Sequence, residues 1–219
     1  VGNGGWAGSI QGLTNGMPAA LRAGYATAGN DTGHEGGNGT FGIGHPEKVK
    51  DFADRAMHEM TVQSKALVKA FYDQSPRLSY YVGCSTGGRQ GLMAAQKWPE
   101  DFDAIIAGAP ANEHLYLHAG DIARMTDIYK DPEGFIPAEK QNMYAAAVMK
   151  ACDALDGVTD NLISNPLACK YDPAVLLCKS GDAPDCLTQK QVATAKRLYA
   201  PAKTSKGELI FPEIGRAHV

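Results

Sequence analysis

Gly83-Cys84-Ser85-Thr86-Gly87 fits the pattern G-x-S-x-G, which in the right setting presents a nucleophilic serine. A serine hydroxyl becomes a useful nucleophile only where it is exposed, oriented and served by a base. The pattern supplies the first two when a strand precedes it and a helix follows. The small residues then let the chain turn sharply, where bulkier neighbours would collide, and the turn lifts the hydroxyl to the end of a sheet. Both flanks meet that condition: Tyr80-Tyr81-Val82 reads as a buried strand and "GGRQGLMAAQKWP" as a helix closed by Pro99. The same turn aims the Thr86 backbone N–H at an oxyanion. A second donor is expected from a glycine-rich loop after an earlier strand, and "GNGGWAG" is placed to supply it through Gly4 or, as the first choice, Gly5. The competing reading is a plain glycine-rich turn before a helix.

The base and its orienting carboxylate follow the serine in this architecture, in the order Ser, Asp, His. His114 and His118 come directly after the next strand, too early for that role, and His218 is the penultimate residue of a tail with no strand expected before it. The catalytic Asp and His are therefore expected beyond Val219, and the chain reads as a fragment that is inactive alone. Asp31 and His34 precede the serine, so a loop-stabilising hydrogen bond is expected of them. Trp6 could edge the site or pack against the sheet.

A second cluster is "CDALDGVTDNLI", with Asp153, Asp156 and Asp160 in one short loop. Three carboxylates this close repel unless a cation bridges them or water separates them, and hard oxygen ligands suit Ca²⁺. Gly157 permits the tight bend. The spacing is not that of an EF-hand. A polar turn ending a helix is the other reading. Four of the five cysteines (Cys152, Cys169, Cys178 and Cys186) crowd the last third, and Cys84 stands apart. Clustering with an odd count suggests two short-range disulfides and one cysteine left over, hence an oxidising compartment, secreted or periplasmic. Five free thiols in a cytosolic protein is the alternative.

The elements that would position these residues read as follows. Residues 1–16 are a glycine-rich loop, Leu21 to Ala28 a short strand, and 31–48 a long loop. Residues 51–73 have helical periodicity through Met57, Val62, Leu67, Val68 and Phe71. The strand before Ser85, its helix, and a further strand in "FDAIIAGAPA" complete a strand, helix, strand, helix, strand order. Strands that are apolar throughout point to a parallel sheet covered on both faces, which is α/β architecture. From 113 onward the character changes: a helix in "AEKQNMYAAAVMKACDALDG", the cysteines, and a helix in "LTQKQVATAKRLYA" with Thr188 as N-cap, with no strand between. Residues 1–112 are thus expected as a partial catalytic core and 113–219 as part of an inserted subdomain.

With 219 residues, 44% hydrophobic, the chain can bury one sizeable core or one and part of a second. A net charge of −3 with scattered Lys and Arg speaks against a nucleic-acid or polybasic membrane surface. No apolar run is long enough to span a bilayer. The first residue is Val1 and no signal-peptide pattern follows, so a native start upstream is expected. A small-molecule substrate is the expected partner; the oligomeric state is not legible.

"YATAGNDTGH", "GCSTGGRQGL", "FDAIIAGAPA" and "CDALDGVTDNLI" together resemble the tannase and feruloyl esterase family, which also includes the terephthalate-monoester hydrolases. The likeness covers nearly the whole chain. It implies an α/β-hydrolase fold, with a mostly parallel sheet that is incomplete here and a lid inserted between sheet strands. It implies a serine carboxylic ester hydrolase cleaving small aromatic or plant-phenolic esters, a feruloyl esterase foremost, with a tannase or other aromatic-ester hydrolase as the alternative. A non-catalytic, calcium-stabilised binding module is the alternative from another class, and an intact elbow at Ser85 argues against it. Carried over, Ser85 is the nucleophile, and Cys84 bonds to a cysteine outside this chain that precedes the histidine. The Asp-rich loop becomes a structural calcium site, with the carboxylates of Asp153, Asp156 and Asp160 and the carbonyls of Val158 and Leu162. Four cysteines allow three pairings; the family's pattern and the short loops both select Cys152–Cys169 and Cys178–Cys186.

Overall fold

A computed structural model of the chain describes residues 1–10 and 16–211, and the chain divides into two units, Val1–Asn112 and Glu113–Val219. In the first, α1 spans Gly16–Arg22 where a strand from Leu21 was expected. The segment GMPAALR is rich in strong helix formers, and a Schellman motif ends it. Gly24 sits at φ +89°, Tyr25 N–H donates to Ala20 O at 3.0 Å, and Gly24 N–H donates to Leu21 O at 3.0 Å. Ala23 to Ala28 then run without regular structure. Helix α2, Pro46–Lys50, passes through a π-helical stretch, Asp51–Arg55, into α3, Ala56–Tyr72, which stops at Asp73 in the left-handed region. Of the periodic apolar residues of α3, Met57 is buried whereas Val62, Leu67 and Phe71 are exposed.

Strand β1, Tyr80–Cys84, pairs in parallel with β2, Ala104–Gly108, from Tyr80 opposite Ala104 to Cys84 opposite Gly108. Helix α4, Thr86–Lys97, connects them. Three strands were expected in this half, and two form among the described residues. They were also expected to be covered on both faces. Tyr81 is 1% exposed beneath α4, but Tyr80, Val82 and Ile106 on the opposite face are 49%, 51% and 64% exposed. That open face borders an apolar groove lined in part by Val1, Tyr25, Met60 and Val68.

The second unit begins with α5, His114–Lys130, a helix the sequence reading did not assign. Helix α6, Ala138–Cys152, places Tyr144, Val148 and Cys152 on one face at four-residue spacing. With Ile136, Cys169, Leu187, Val192 and Ala195 they form the core of this unit. Helix α7, Gln189–Tyr199, starts with a capping box in which Thr188 and Gln191 satisfy each other's backbone N–H. Cys152–Cys169 and Cys178–Cys186 are bonded. In the chain-entropy estimate the first, closing a 17-residue separation, contributes about 3 kcal/mol. A small antiparallel pair follows, β3, Ala202–Lys203, with β4, Leu209–Phe211. No strand was expected here, because strands of two and three residues are too short to show alternation; the turn between them closes at Gly207, φ +84°.

Candidate active site

Ser85 joins the end of β1 to the start of α4 with φ +60° and ψ −119°. A non-glycine residue in that region carries roughly 1–3 kcal/mol of strain and persists only where its surroundings over-determine it. They do. Ser85 N–H donates to Gly108 O at 3.0 Å, and Ser85 O accepts from Arg89 N at 3.1 Å and Ala111 N at 3.1 Å. The serine is exposed. Thr86 and Gly87 open α4, so helix geometry leaves their N–H groups without intrahelical acceptors and points the positive end of the helix at the turn.

The glycines around the turn are demanded by contact. A Cβ on Gly83 would lie 2.5 Å from Gly87 O, one on Gly88 2.4 Å from Gly108 O, and one on Gly2 2.3 Å from the Tyr81 hydroxyl. Strand, helix and N-terminal segment therefore approach one another backbone to backbone. The Tyr81 hydroxyl donates to Gly87 O at 2.7 Å and reaches Gln90 Oε1 at 3.2 Å. Burial pushes its pKa far up, so it stays a neutral donor.

The N-terminal loop is threaded onto this framework. Gly2 N–H donates to Val82 O at 2.9 Å. Asn3 and Gln90, both buried, exchange amide bonds: Asn3 N–H to Gln90 Oε1 at 3.0 Å, and Gln90 Nε2 to Asn3 Oδ1 at 3.1 Å. Asn3 Nδ2 also donates to Asn30 O at 2.8 Å. The Thr86 hydroxyl donates to Gly5 O at 2.6 Å. The two residues expected to supply oxyanion donors, 81 apart in sequence, are thereby brought together. Gly5 has φ +52°. Trp6, left between two roles by the sequence, stacks on Phe52 at 5.6 Å and meets Phe41 edge-on at 6.4 Å. Arg89, on α4, braces the same region through Ala53 O and Phe52 O, at 2.8 and 3.0 Å, with its guanidinium 4.8 Å from the Phe52 ring.

Asp31 and His34 make loop hydrogen bonds. Asp31 accepts from Gly33 N–H through its side chain at 2.9 Å and from Gly8 N–H through its carbonyl at 3.1 Å; His34 Nε2 meets Trp6 O at 2.8 Å. His114 and His118 lie on α5 in the second unit, with rings 4.3 Å apart and His118 Nδ1 3.4 Å from Asp121 Oδ2. His218 lies outside the described residues. Cys84 is a free, exposed thiol. Sequence reasoning missed Asn3, Tyr81, Gln90 and Arg89. The available signal was Gln90, a large polar residue amid Thr86, Gly87, Gly91 and Ala94 on the buried face of α4.

In the Asp-rich loop each carboxylate caps the backbone. Asp153 Oδ1 accepts from Asp160 N–H at 3.3 Å, Asp160 Oδ1 from Leu162 N–H at 3.1 Å, and Asp156 from Ser164 and Val158 N–H at 3.0 Å each. Those bonds from Ser164 and Val158 hold the Asp156 carboxyl below its ordinary range. Its brace is thus present above the unfolded carboxyl pKa and is lost as pH falls through the lowered value. Gly157, at φ +95°, makes the bend. Among the described residues no three His, Cys, Asp or Glu side chains converge as a ready metal site. The donor set is nonetheless all oxygen, and Cys152–Cys169 ties both flanks of the loop.

Comparison with known proteins gives a consistent result. The sequence profile described as "Tannase and feruloyl esterase" matches residues 1–218. The chain is 36% identical over 224 residues to the probable feruloyl esterase B-1 of Aspergillus flavus, and 38% identical over 224 residues to the probable feruloyl esterase B of Emericella nidulans. Both alignments cover 98% of this chain and 41% of the relative, so the chain spans about two fifths of the length of the curated proteins it matches. Its fold is similar to the crystal structure of feruloyl esterase B from Aspergillus oryzae, with a TM-score of 0.85, 35% identity, and coverage of 99% of this chain and 44% of that one. It is also similar to a tannin acyl hydrolase from Aspergillus niger, with a TM-score of 0.72, 22% identity, and coverage of 98% and 43%. That second likeness is one of fold.

Proposed function

The chain belongs to the tannase and feruloyl esterase family, and from that premise we propose that it carries the nucleophile and oxyanion hole of a serine carboxylic ester hydrolase for phenolic esters, a feruloyl esterase. The observation that carries this reading is Ser85, strained and exposed between a parallel strand and a helix, with Thr86 bonded to the Gly5 loop. The Ser85 hydroxyl attacks the ester carbonyl, and the N–H groups of Thr86 and Gly5 hold the oxyanion that forms. A base oriented by a carboxylate takes the hydroxyl proton as the bond forms. The test is hydrolysis of methyl ferulate and methyl gallate by a full-length protein carrying this sequence, with fluorophosphonate labelling mapped by peptide. Labelling of Ser85 with ferulate preferred is expected; gallate preferred would make the protein a tannase, and no labelling of Ser85 would end the serine reading.

Cys84, beside the nucleophile, is proposed to bond to a cysteine outside this chain and so keep nucleophile and base in register. A full-length protein whose Cys84 reacts with a thiol reagent before any reduction would exclude the bridge. The two disulfides of the second unit support an oxidising, extracellular destination. No helix among the described residues is long and apolar enough to cross a membrane.

Calcium is proposed for the Asp-rich loop, held by Asp153, Asp156, Asp160 and the carbonyls of Val158 and Leu162. The cation would neutralise three neighbouring carboxylates and pin the loop to the end of α6. Binding to the folded form alone stabilises by about 2.7 kcal/mol at a hundredfold excess over Kd. Chelation should therefore lower the melting temperature, and calcium, but not magnesium, should restore it. An unchanged melt, with no calcium by elemental analysis, would leave the loop an ordinary polar turn.

A further inference from the structure

We propose that His34 is a positioning residue that orients the oxyanion donor Gly5 through a relay of two peptide groups, an inference that rests on the assignment of Ser85 and Gly5 above. Trp6 O is a carbonyl and can only accept, so the 2.8 Å contact requires His34 Nε2 to carry the hydrogen. The peptide that contains Trp6 O also contains Ala7 N–H, which donates to Gly4 O at 2.9 Å. The peptide that contains Gly4 O contains Gly5 N–H. In a trans peptide the N–H points opposite to the C=O. With Gly4 O turned toward Ala7, the Gly5 N–H is turned the other way. Each bond in such a chain also polarises the next, which makes the terminal N–H a better donor.

Side-chain packing holds Trp6 but not Gly4 and Gly5 at the tip of this loop. A Cβ at Gly4 or Gly5 would meet nothing within 4 Å, and both residues are exposed. Glycine here is free to rotate unless hydrogen bonds stop it. Those bonds are the Thr86 hydroxyl on Gly5 O, the Ala7 bond to Gly4, and the His34 bond to Trp6. His34 itself is well anchored. It is 5% exposed, its ring stacks on Phe41 at 3.6 Å and 13°, and its Nδ1 faces the hydroxyl of Thr32 at 3.3 Å and the carbonyl of Thr32 at 3.4 Å. Thr32 is fully buried at φ +59°, a conformation β-branched residues avoid, so the loop beside the imidazole is itself held in strain.

The test uses the full-length protein and compares His34→Phe, which keeps a ring against Phe41 but has no N–H, with His34→Gln, whose amide can donate to Trp6 O. His34→Phe is expected to lower kcat for a phenolic ester about 10²-fold, the scale of losing one oxyanion donor, with KM changed only a few-fold. Its rate of labelling by a fluorophosphonate should fall with kcat. His34→Gln is expected to recover most of the loss. An unchanged kcat in His34→Phe, a change confined to KM, or a His34→Gln as slow as His34→Phe overturns the proposal. Ser85→Ala is measured beside them. If it abolishes turnover while His34→Phe does not slow it, the relay alone falls; if it leaves turnover intact, the site assignment falls too. Should both His34 variants fail to fold, the protonation of the imidazole in the unmodified protein decides by ¹H–¹⁵N NMR: a hydrogen on Nε2 is expected, and an Nε2 without hydrogen overturns the relay.

Discussion

Replacing Ser85 by alanine in a full-length protein carrying this sequence is expected to cut ester hydrolysis by about 10⁶-fold in kcat while leaving the fold in place. The magnitude follows from what the residue would do. As nucleophile it forms the acyl-enzyme, and the remaining groups can then accelerate only direct attack by water. The fold should survive because the turn is held by backbone bonds: Ser85 N–H to Gly108 O, and Arg89 and Ala111 N–H to Ser85 O. The exposed hydroxyl takes no part in them. Loss of a γ-oxygen at φ +60° leaves the strain of a non-glycine residue as it was. Residual activity within tenfold of the parent, in a protein with an unaltered melting curve, would remove Ser85 from the chemistry.

Gly88→Ala is expected to damage stability and activity together. Its new Cβ would stand 2.4 Å from Gly108 O and 2.8 Å from Pro110 Cα. Both are backbone atoms, one at the end of β2 and one just past it, so neither can swing aside as a flexible side chain would. The helix start must back away from the sheet, at a cost of about 3 kcal/mol, the upper part of the range for overpacking. Gly108 O is also the acceptor of Ser85 N–H, so the same displacement carries the proposed nucleophile with it. A shift near 1 Å in a reacting group costs on the order of 10²-fold in rate. Gly37→Ala is the comparison, since its Cβ would meet nothing within 4 Å and its φ is not left-handed; its effect should stay within about 0.5 kcal/mol. Denaturant melts and kcat/KM of the folded fraction check both. A Gly88→Ala protein as stable as Gly37→Ala would mean that α4 and β2 are less closely joined than the contacts imply.

What could be read from residue order was local. The strand, elbow and helix around Ser85 announce themselves through an apolar run, a cluster of small residues and a closing proline, all within twenty residues. Thr188 with Gln191 is a capping box legible in four letters, and two disulfides with short separations close loops that neighbouring sequence already brings near. Where local signals competed, reading failed. Leu21 to Ala28 looked like a strand, yet GMPAALR ahead of Gly24 forms a helix, because its propensity and C-cap outweigh the alternation after it. The turn between β3 and β4 escaped notice because its strands are shorter than the period that reveals strands.

How distant segments meet at Ser85 is set by packing in three dimensions. Asn3 and Gln90 are 87 residues apart, Thr86 and Gly5 81, His34 and Trp6 28. No periodicity links such pairs. They are selected by the need to satisfy buried polar groups once the backbones approach, and that approach depends on the absence of a Cβ at Gly2, Gly83 and Gly88. The sequence shows these residues as glycines, but only their neighbours in space reveal that no other residue fits.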